Sequence, residues 1–255
     1  MRTRVLVAAV ALALPTAASA ASPQLRQGDA LYGRYCSMCH GPNGEGQTTS
    51  PSNRVGGGPA RDQAVQPGVA PSLRNVGALA ADFYLRTGYM PLKRSDIQPR
   101  RSRLLLGPRE IAALIAYVAS LGHGPPVPKP HPDRGDLSAG QHLFAEHCAG
   151  CHQIVAEGGY VTNVVPPPLE DATPVEIAEA VRIGPYVMPR FSEKAISNAQ
   201  LDSIIRYVRY AQHPDDRGGW ALGHIGPVPE GLVTWFLAAT ALISICVVLG
   251  KRLGE

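Results

Sequence analysis

Two copies of one cysteine–histidine pattern constrain this chain more than any other feature. Each copy reads Cys-x-x-Cys-His, the first over residues 36–40 and the second over residues 148–152. In a helical turn, side chains at positions i and i+3 lie on one side, and the side chain at i+4 lies beside them. Two such cysteines can form thioethers with the vinyl groups of one porphyrin edge, while the histidine points at the iron. The pattern therefore predicts covalent c-type haem attachment at two places. The predicted attachment residues are Cys36, Cys39, Cys148 and Cys151, and the predicted proximal iron ligands are His40 and His152.

Two other kinds of site fit the pattern less well. Zinc requires four ligands, and each copy offers only two cysteines and one histidine. A redox-active disulfide in a Cys-x-x-Cys motif does not need the histidine that follows it. The recurrence of the whole pattern favours two haems over either alternative.

The methionines indicate the second axial ligand of each iron. Of the four methionines, Met1 begins the chain and Met38 is held between the two cysteines of the first motif. Met90 and Met188 remain, one in each copy and each followed by proline. A lone methionine can also serve as core filler. We predict that Met90 and Met188 are iron ligands, because each copy has one such methionine at the same place before a proline. A thioether ligand favours ferrous iron and raises the reduction potential. An iron with both axial positions filled suits electron transfer rather than oxygen or peroxide chemistry.

Other histidines are the alternative ligands. They are His123, His131, His142, His147, His213 and His224. His142 and His147 precede the second motif on the same predicted helix, so we interpret both as surface or interface residues. Pro71 and Pro167 stand at matching places before the two ligand methionines. A backbone carbonyl there could accept the N–H of the proximal histidine and fix its tautomer.

The features around the two motifs recur in the same order, so the chain contains an internal repeat. One helical stripe consists of Ile111, Leu114, Ile115 and Val118, and its repeat of Leu201, Ile204, Ile205 and Val208. Thr173 to Glu176 forms a capping box and predicts a helix to about Ile183. We predict a mainly α fold with two small domains, residues 21–122 and 137–213, joined by a proline-rich linker, residues 123–136. Units of this size bury little apolar area, and a haem in each would complete the core.

Both ends of the chain resemble membrane-targeting segments. Residues 1–20 combine a basic start, a short apolar stretch and a small-residue cleavage site, and predict a signal peptide. A retained N-terminal anchor is the alternative. Residues 231–250 contain no charge and would cover about 30 Å as a helix, which predicts a membrane span rather than a buried core helix. Residues 214–230 would form a membrane-proximal segment. Lys251 and Arg252 place the tail, residues 251–255, in the cytoplasm and the body of the protein outside it.

The charge balance excludes one class of partner. The net charge is +4, and it falls to +2 without the two arginines of the predicted signal peptide. Aromatic residues make up 6% of the chain, and no basic stripe accompanies them. This composition does not indicate nucleic-acid binding.

Longer segments carry a family resemblance. The sequence GGWALGHIGPVPEGLVTW, from Gly218 to Trp235, is not required for haem attachment and is the most specific of them. RTGYMPL with the later IQPR, and EIAEAVRIGPYVMPRFS, are further matches. With these segments the chain resembles the dihaem cytochrome c subunit of the actinobacterial-type cytochrome bc1 complex, over nearly its whole mature length. Many members keep an N-terminal membrane helix, whereas the leader here has a cleavage site.

The resemblance implies a fold and a function. It implies two tandem class I cytochrome c domains, each with a covalent haem c, followed by one C-terminal transmembrane helix. A quinol would be oxidised by the cytochrome b and Rieske iron–sulfur subunits. Single electrons would then pass through the two haems to the copper centre of a terminal oxidase. No residue would act as nucleophile or general base, so the chain would be an enzyme only as a subunit of the complex. The alternatives are an electron-delivery subunit of a cbb3-type oxidase and a dihaem peroxidase.

Overall fold

The computed structural model describes residues 22–47, 70–92, 99–162, 164–214 and 227–253. The helices are α1 (Pro23–Tyr35), α2 (Ser37–His40), α3 (Gly77–Arg86), α4 (Pro108–Ser120), α5 (Leu137–His147), α6 (Ala149–His152), α7 (Pro174–Ile183), α8 (Asn198–Gln212) and α9 (Pro227–Leu253). Within the described ranges, extended pairing is limited to two isolated bridges. The predicted mainly α fold is therefore confirmed. The predicted signal peptide and much of the predicted membrane-proximal segment at 214–230 lie outside the described residues.

Local sequence signals set the ends of the helices. Ser22 accepts a hydrogen bond from the backbone N–H of Leu25 at the start of α1. The predicted capping box at α7 is present. The Thr173 hydroxyl accepts from the backbone N–H of Glu176 at 3.2 Å, and the Glu176 carboxylate accepts from the backbone N–H of Thr173 at 2.8 Å. Gly184, in the left-handed conformation with φ 65°, ends the helix one residue after Ile183.

The helices form two groups that repeat one packing scheme. In the first helical group, α1 to α4, both α1 and α3 pack against α4. In the second helical group, α5 to α8, both α5 and α7 pack against α8. The two predicted apolar stripes face these cores, and all their members are buried except Ile115, which is half-buried. The groups meet where α3 packs against α7.

The proline-rich connection between the groups contacts both of them. The Pro125 carbonyl accepts a hydrogen bond from the backbone N–H of Leu79 in α3, at 3.1 Å. The backbone N–H of His131 donates to the Asp202 carboxylate in α8, at 2.7 Å. Although a proline has no backbone N–H, its carbonyl can still accept a hydrogen bond. The proline-rich connection is therefore hydrogen-bonded to both helical groups.

Glycines at equivalent positions bring the long helices of each group into close contact. A Cβ added at Gly28 in α1 would collide with the Ala113 carbonyl of α4, and one at Gly140 in α5 would collide with the Ser203 carbonyl of α8. One turn later, Tyr32 stacks near Tyr117, with ring centroids 4.9 Å apart. The absence of a side chain at this position therefore sets the crossing distance in both groups.

We expect Gly28→Ala to lower the free energy of unfolding by about 3 kcal/mol, because the added methyl meets backbone that cannot move aside. Gly33→Ala is the matched control in the same helix, since a Cβ there meets nothing within 4 Å. That change should leave stability equal or raise it by up to about 1 kcal/mol through helix propensity. Urea unfolding of both variants, followed by circular dichroism, measures the difference. Equal stability of the two variants would contradict the close crossing.

The C-terminal helix is apolar on every face. Residues Gly231–Arg252 of α9 are long and apolar enough to cross a membrane, and none of that stretch is buried against the rest of the chain. Trp235 and Phe236 remain 77% and 73% exposed. The helix is longer than the predicted span at both ends. Pro227 is the first residue of α9, where a missing backbone N–H costs no hydrogen bond within the helix. Lys251 and Arg252 lie in the last turn, where their positive charges interact favourably with the negative end of the helix dipole.

Candidate haem-binding sites

Each Cys-x-x-Cys-His motif lies where a long helix gives way to a single helical turn. α1 ends at Tyr35, and Cys36 separates it from α2; Cys148 separates α5 from α6 in the same way. The backbone at Cys36 and Cys148 has φ −119° and −123° and the same ψ of −36°. The backbone N–H of the motif histidine donates to the carbonyl of the first cysteine at 2.9 Å in both copies. The turn geometry required for thioether attachment is therefore formed twice.

The environment of the four motif cysteines differs from that of a redox dithiol. Cys36 and Cys148 are half-buried, whereas Cys39 and Cys151 are exposed. Burial, followed by the neighbouring cysteine of the motif, raises the pKa of Cys36 to about 11 and that of Cys148 to about 11. A redox-active Cys-x-x-Cys motif instead depends on a thiol of lowered pKa. The exposed second cysteine of each motif is accessible to a porphyrin vinyl group.

The histidines of the two motifs contact the two predicted proline carbonyls. His40 and His152 are each 9% exposed. Nδ1 of His40 lies 2.8 Å from the Pro71 carbonyl, and Nδ1 of His152 lies 3.1 Å from the Pro167 carbonyl. A carbonyl can only accept, so Nδ1 carries the hydrogen and the lone pair of the neutral ring is at Nε2. Burial also lowers the pKa of His152, which favours its neutral form. Both rings therefore have the tautomer that a metal ligand requires.

Two glycines that sequence reasoning missed place these carbonyls. Gly46 and Gly158 follow the two histidines at the same distance along the chain, and each donates its N–H to the carbonyl of that histidine, at 2.8 and 3.0 Å. Their φ values are 82° and 72°, and a Cβ at either would press against the segment that contains Pro71 or Pro167. The recurrence of glycine at this place in both copies was the available signal.

The predicted methionine ligands follow equivalent helices. Met90 comes shortly after α3, and Met188 comes shortly after α7; both are half-buried. Met188 and Cys148 pack against the same apolar core of the second helical group. Met38 is 84% exposed, which agrees with its position between two attachment cysteines. The structure thus places one methionine per group at matching points of the repeat, and their ligation stays a prediction.

The alternative histidines lie at the surface. His142 and His147 are exposed, as predicted, and the His147 ring rests near Phe191 with centroids 5.8 Å apart. His123, His131 and His213 are also exposed. His224 lies outside the described residues. The buried histidines of the described chain are the two of the Cys-x-x-Cys-His motifs.

Comparison with known proteins decides the family. The Cytochrome c family profile matches residues 25–122, and the profile of the cbb3-type cytochrome c oxidase subunit III matches residues 135–208. The cytochrome bc1 complex cytochrome c subunit of Mycobacterium tuberculosis is 34% identical over 241 residues, covering 91% of this chain and 79% of that protein. Its counterpart in Corynebacterium diphtheriae is 30% identical, covering 89% and 81%. The chain belongs to this family of cytochrome c subunits. The cbb3-type cytochrome c oxidase subunit CcoP of Rhodobacter capsulatus is 30% identical and covers less, 75% of this chain and 65% of that protein.

Family membership confirms the predicted resemblance and the predicted class of cofactor. A cytochrome c holds its haem covalently through cysteine thioethers, and a half-buried first cysteine and an exposed second cysteine in each motif fit that attachment. The histidine tautomer set by the proline carbonyls also fits the group, because it leaves Nε2 available for iron. The chain is a cytochrome c subunit for electron transfer, with a C-terminal helix suited to anchor it in a membrane.

Proposed function

We propose that this chain binds two haems c, one in each helical group, and relays single electrons from one to the other. The first set is Cys36 and Cys39 for attachment with His40 and Met90 as axial ligands, and the second is Cys148 and Cys151 with His152 and Met188. The supporting observation is that one local geometry, from the cysteine turn to the histidine–proline contact, occurs twice. A protein that binds a single haem would need this local geometry only once.

The side chains around each haem would favour electron transfer over substrate chemistry. A bound haem supplies reversible one-electron exchange at its iron. The proline carbonyl fixes the histidine ring and increases the electron donation of Nε2. The methionine thioether occupies the opposite position and stabilises the ferrous state. With both axial positions filled, neither site would bind peroxide, which argues against the dihaem peroxidase.

We propose partners on each side of the relay. Electrons would enter the first helical group from the Rieske iron–sulfur subunit of a quinol-oxidising complex that also contains cytochrome b. They would leave the second helical group toward the copper centre of a terminal oxidase. The names of the relatives at 30–34% identity support the cytochrome bc1 assignment. The chain itself would be a carrier, and catalysis of quinol oxidation would belong to the assembled complex.

We propose that α9 spans the membrane with its C-terminus in the cytoplasm. Its uncharged stretch, residues 231–250, covers about 30 Å at roughly 1.5 Å per residue, which matches a hydrocarbon core of about 30 Å. Lys251 and Arg252 follow that stretch at its C-terminal end. Because basic residues remain on the cytoplasmic side, both helical groups would lie on the extracytoplasmic face.

Affinity purification of the tagged chain from detergent-solubilised membranes tests the assignment to a complex. We expect cytochrome b and a Rieske iron–sulfur protein to co-purify in about equal amounts, because an anchored relay subunit must stay beside its donor. The measurement is mass spectrometry of the eluted subunits. Recovery of oxidase subunits without cytochrome b would instead support the cbb3-type alternative, which the match to the Rhodobacter capsulatus subunit motivates.

A further inference from the structure

The contact between the two helical groups is built from equivalent helices. α3 packs against α7, and each of these helices precedes the predicted methionine ligand of its own group. Arg101, in the segment after Met90, reaches across to Glu176 in the first turn of α7. Its two terminal nitrogens donate to the two carboxylate oxygens at 3.2 and 2.9 Å. The position of one methionine segment relative to the other therefore depends on this contact.

A second carboxyl group lies deeper in the same contact. Glu179 of α7 is fully buried, with 0% of its surface exposed, and it faces Asp82 of α3, which is 5% exposed. Asp82 accepts a hydrogen bond from Nε of Arg86 at 2.8 Å. Neither carboxylate oxygen of Glu179 receives a hydrogen bond from any side chain or backbone group in the described residues.

The three buried carboxyl groups of the contact therefore differ in their donors. Glu176 is bonded to Arg101 and to the backbone of Thr173, and Asp82 is bonded to Arg86. Among the described residues, the group that interacts with the Glu179 carboxyl at hydrogen-bonding range is the Asp82 carboxylate. Two ionised carboxylates contain no donor, and burying an unpaired charge is costly. One proton removes both difficulties, because a protonated Glu179 donates its O–H to the Asp82 carboxylate.

We propose that Glu179 and Asp82 form a proton-binding site that links the two helical groups, with the proton resident on Glu179 at neutral pH. Filling the site forms the O–H bond of Glu179 with a proton taken from solvent, emptying it returns that proton to solvent, and no electron moves. Loss of the proton leaves two adjacent buried carboxylates that repel each other. The α3–α7 contact then loosens, while the packing inside each group is unaffected.

Burial and the surrounding charges set the pH at which Glu179 loses its proton. Burial, and then the Asp82 carboxylate, raise the pKa of Glu179 from 4.5 to about 9; Glu176 adds to the rise and Arg86 opposes it. The charged groups with the largest effect on Glu179 therefore lie on α3, which contains Asp82 and Arg86, and on α7, which contains Glu176. Although burial alone would raise the pKa of Glu176, donors from Arg101 and Thr173 lower it overall, so that group stays ionised.

The direction of the pH effect follows from the raised pKa. Between pH 4.5 and about 9 the packed contact holds one proton that the open contact releases. The contact is therefore fully stable below that window and weakens as pH rises through it. The opening equilibrium constant should rise up to about tenfold for each pH unit in the window and level off above it.

Hydrogen exchange of the full-length, detergent-solubilised holoprotein tests this. Exchange of the α3 and α7 amides is measured across the window in the wild type and in Glu179→Gln, whose amide mimics the protonated acid. We expect the ratio of wild-type to variant rates to rise with pH as described, since intrinsic exchange cancels in the ratio. When Asp82→Asn takes the place of the wild type in this ratio, the pH at which the ratio levels off should be lower. The reason is that the asparagine amide replaces a repelling charge with a hydrogen-bond donor.

An infrared spectrum tests the proton site without measuring electron transfer. Its result is therefore independent of whether the proposed relay is correct. A protonated-carboxyl C=O band should be present at neutral pH, disappear near pH 9 and be missing in Glu179→Gln. Glu146→Gln is the control, because the Glu146 side chain is 71% exposed and should leave both readouts unchanged. A wild-type spectrum without the band, or a rate ratio that does not vary with pH, would overturn the proposal.

Discussion

Replacing Cys148 and Cys151 together by alanine is expected to leave a protein with one covalent haem and no electron delivery to the oxidase. The two thioethers of the second site depend on these thiols, which the α5–α6 junction presents on one side of a single turn. Any haem still held by His152 would then be non-covalent. Acid-acetone extraction followed by intact-mass measurement counts what remains attached, and quinol-driven oxygen consumption of membranes measures the relay.

The matched variant and the control make this result specific. Replacing Cys36 and Cys39 should give the same loss of one haem, because the first site has the same geometry. Cys246→Ala should retain two haems, since that cysteine lies in the apolar stretch of α9, far along the chain from either motif. If either double variant kept the mass of the wild type after extraction, the assignment of two attachment sites would be wrong.

Local sequence signals predicted the geometry around the two motifs because that geometry is short-range. A helical turn fixes the relation between the two cysteines and the histidine of each motif, whatever surrounds them. The capping box at Thr173 and the two apolar stripes likewise depend on spacing within one helix. Even the contacts of Pro71 and Pro167 could be predicted, because the repeat supplied two examples of the same order of features.

Features that depend on contacts between distant segments were not predicted. Gly46 and Gly158 owe their role to a backbone segment that arrives from farther along the chain, and spacing alone does not show that approach. The Asp82–Glu179 pair joins helices from different copies of the repeat, so neither copy contains the signal by itself. In isolation, Glu179 is an ordinary helix residue, and only the packing of α3 on α7 buries it.

Replacing Met188 by histidine is expected to lower the reduction potential of one haem by roughly 0.2 V, within the ~0.8 V range that axial ligands set. The thioether favours ferrous iron, whereas an imidazole is a stronger donor to ferric iron. The other haem should keep its potential, because Met90 belongs to the other helical group. Spectroelectrochemical titration of the purified holoprotein resolves the two potentials. Electron transfer from the first haem to the second should slow, because the potential of the accepting haem falls.

Met38→Leu provides the control, because that side chain is 84% exposed and lies between attachment cysteines rather than opposite a histidine. Both potentials should stay at the wild-type values in this variant. Met90→His should lower the other potential, and the double variant should lower both, since each thioether would act on its own iron. Unchanged potentials in Met188→His would show that the second iron takes its distal ligand elsewhere. The half-buried position of Met188 against the second core would then reflect packing alone.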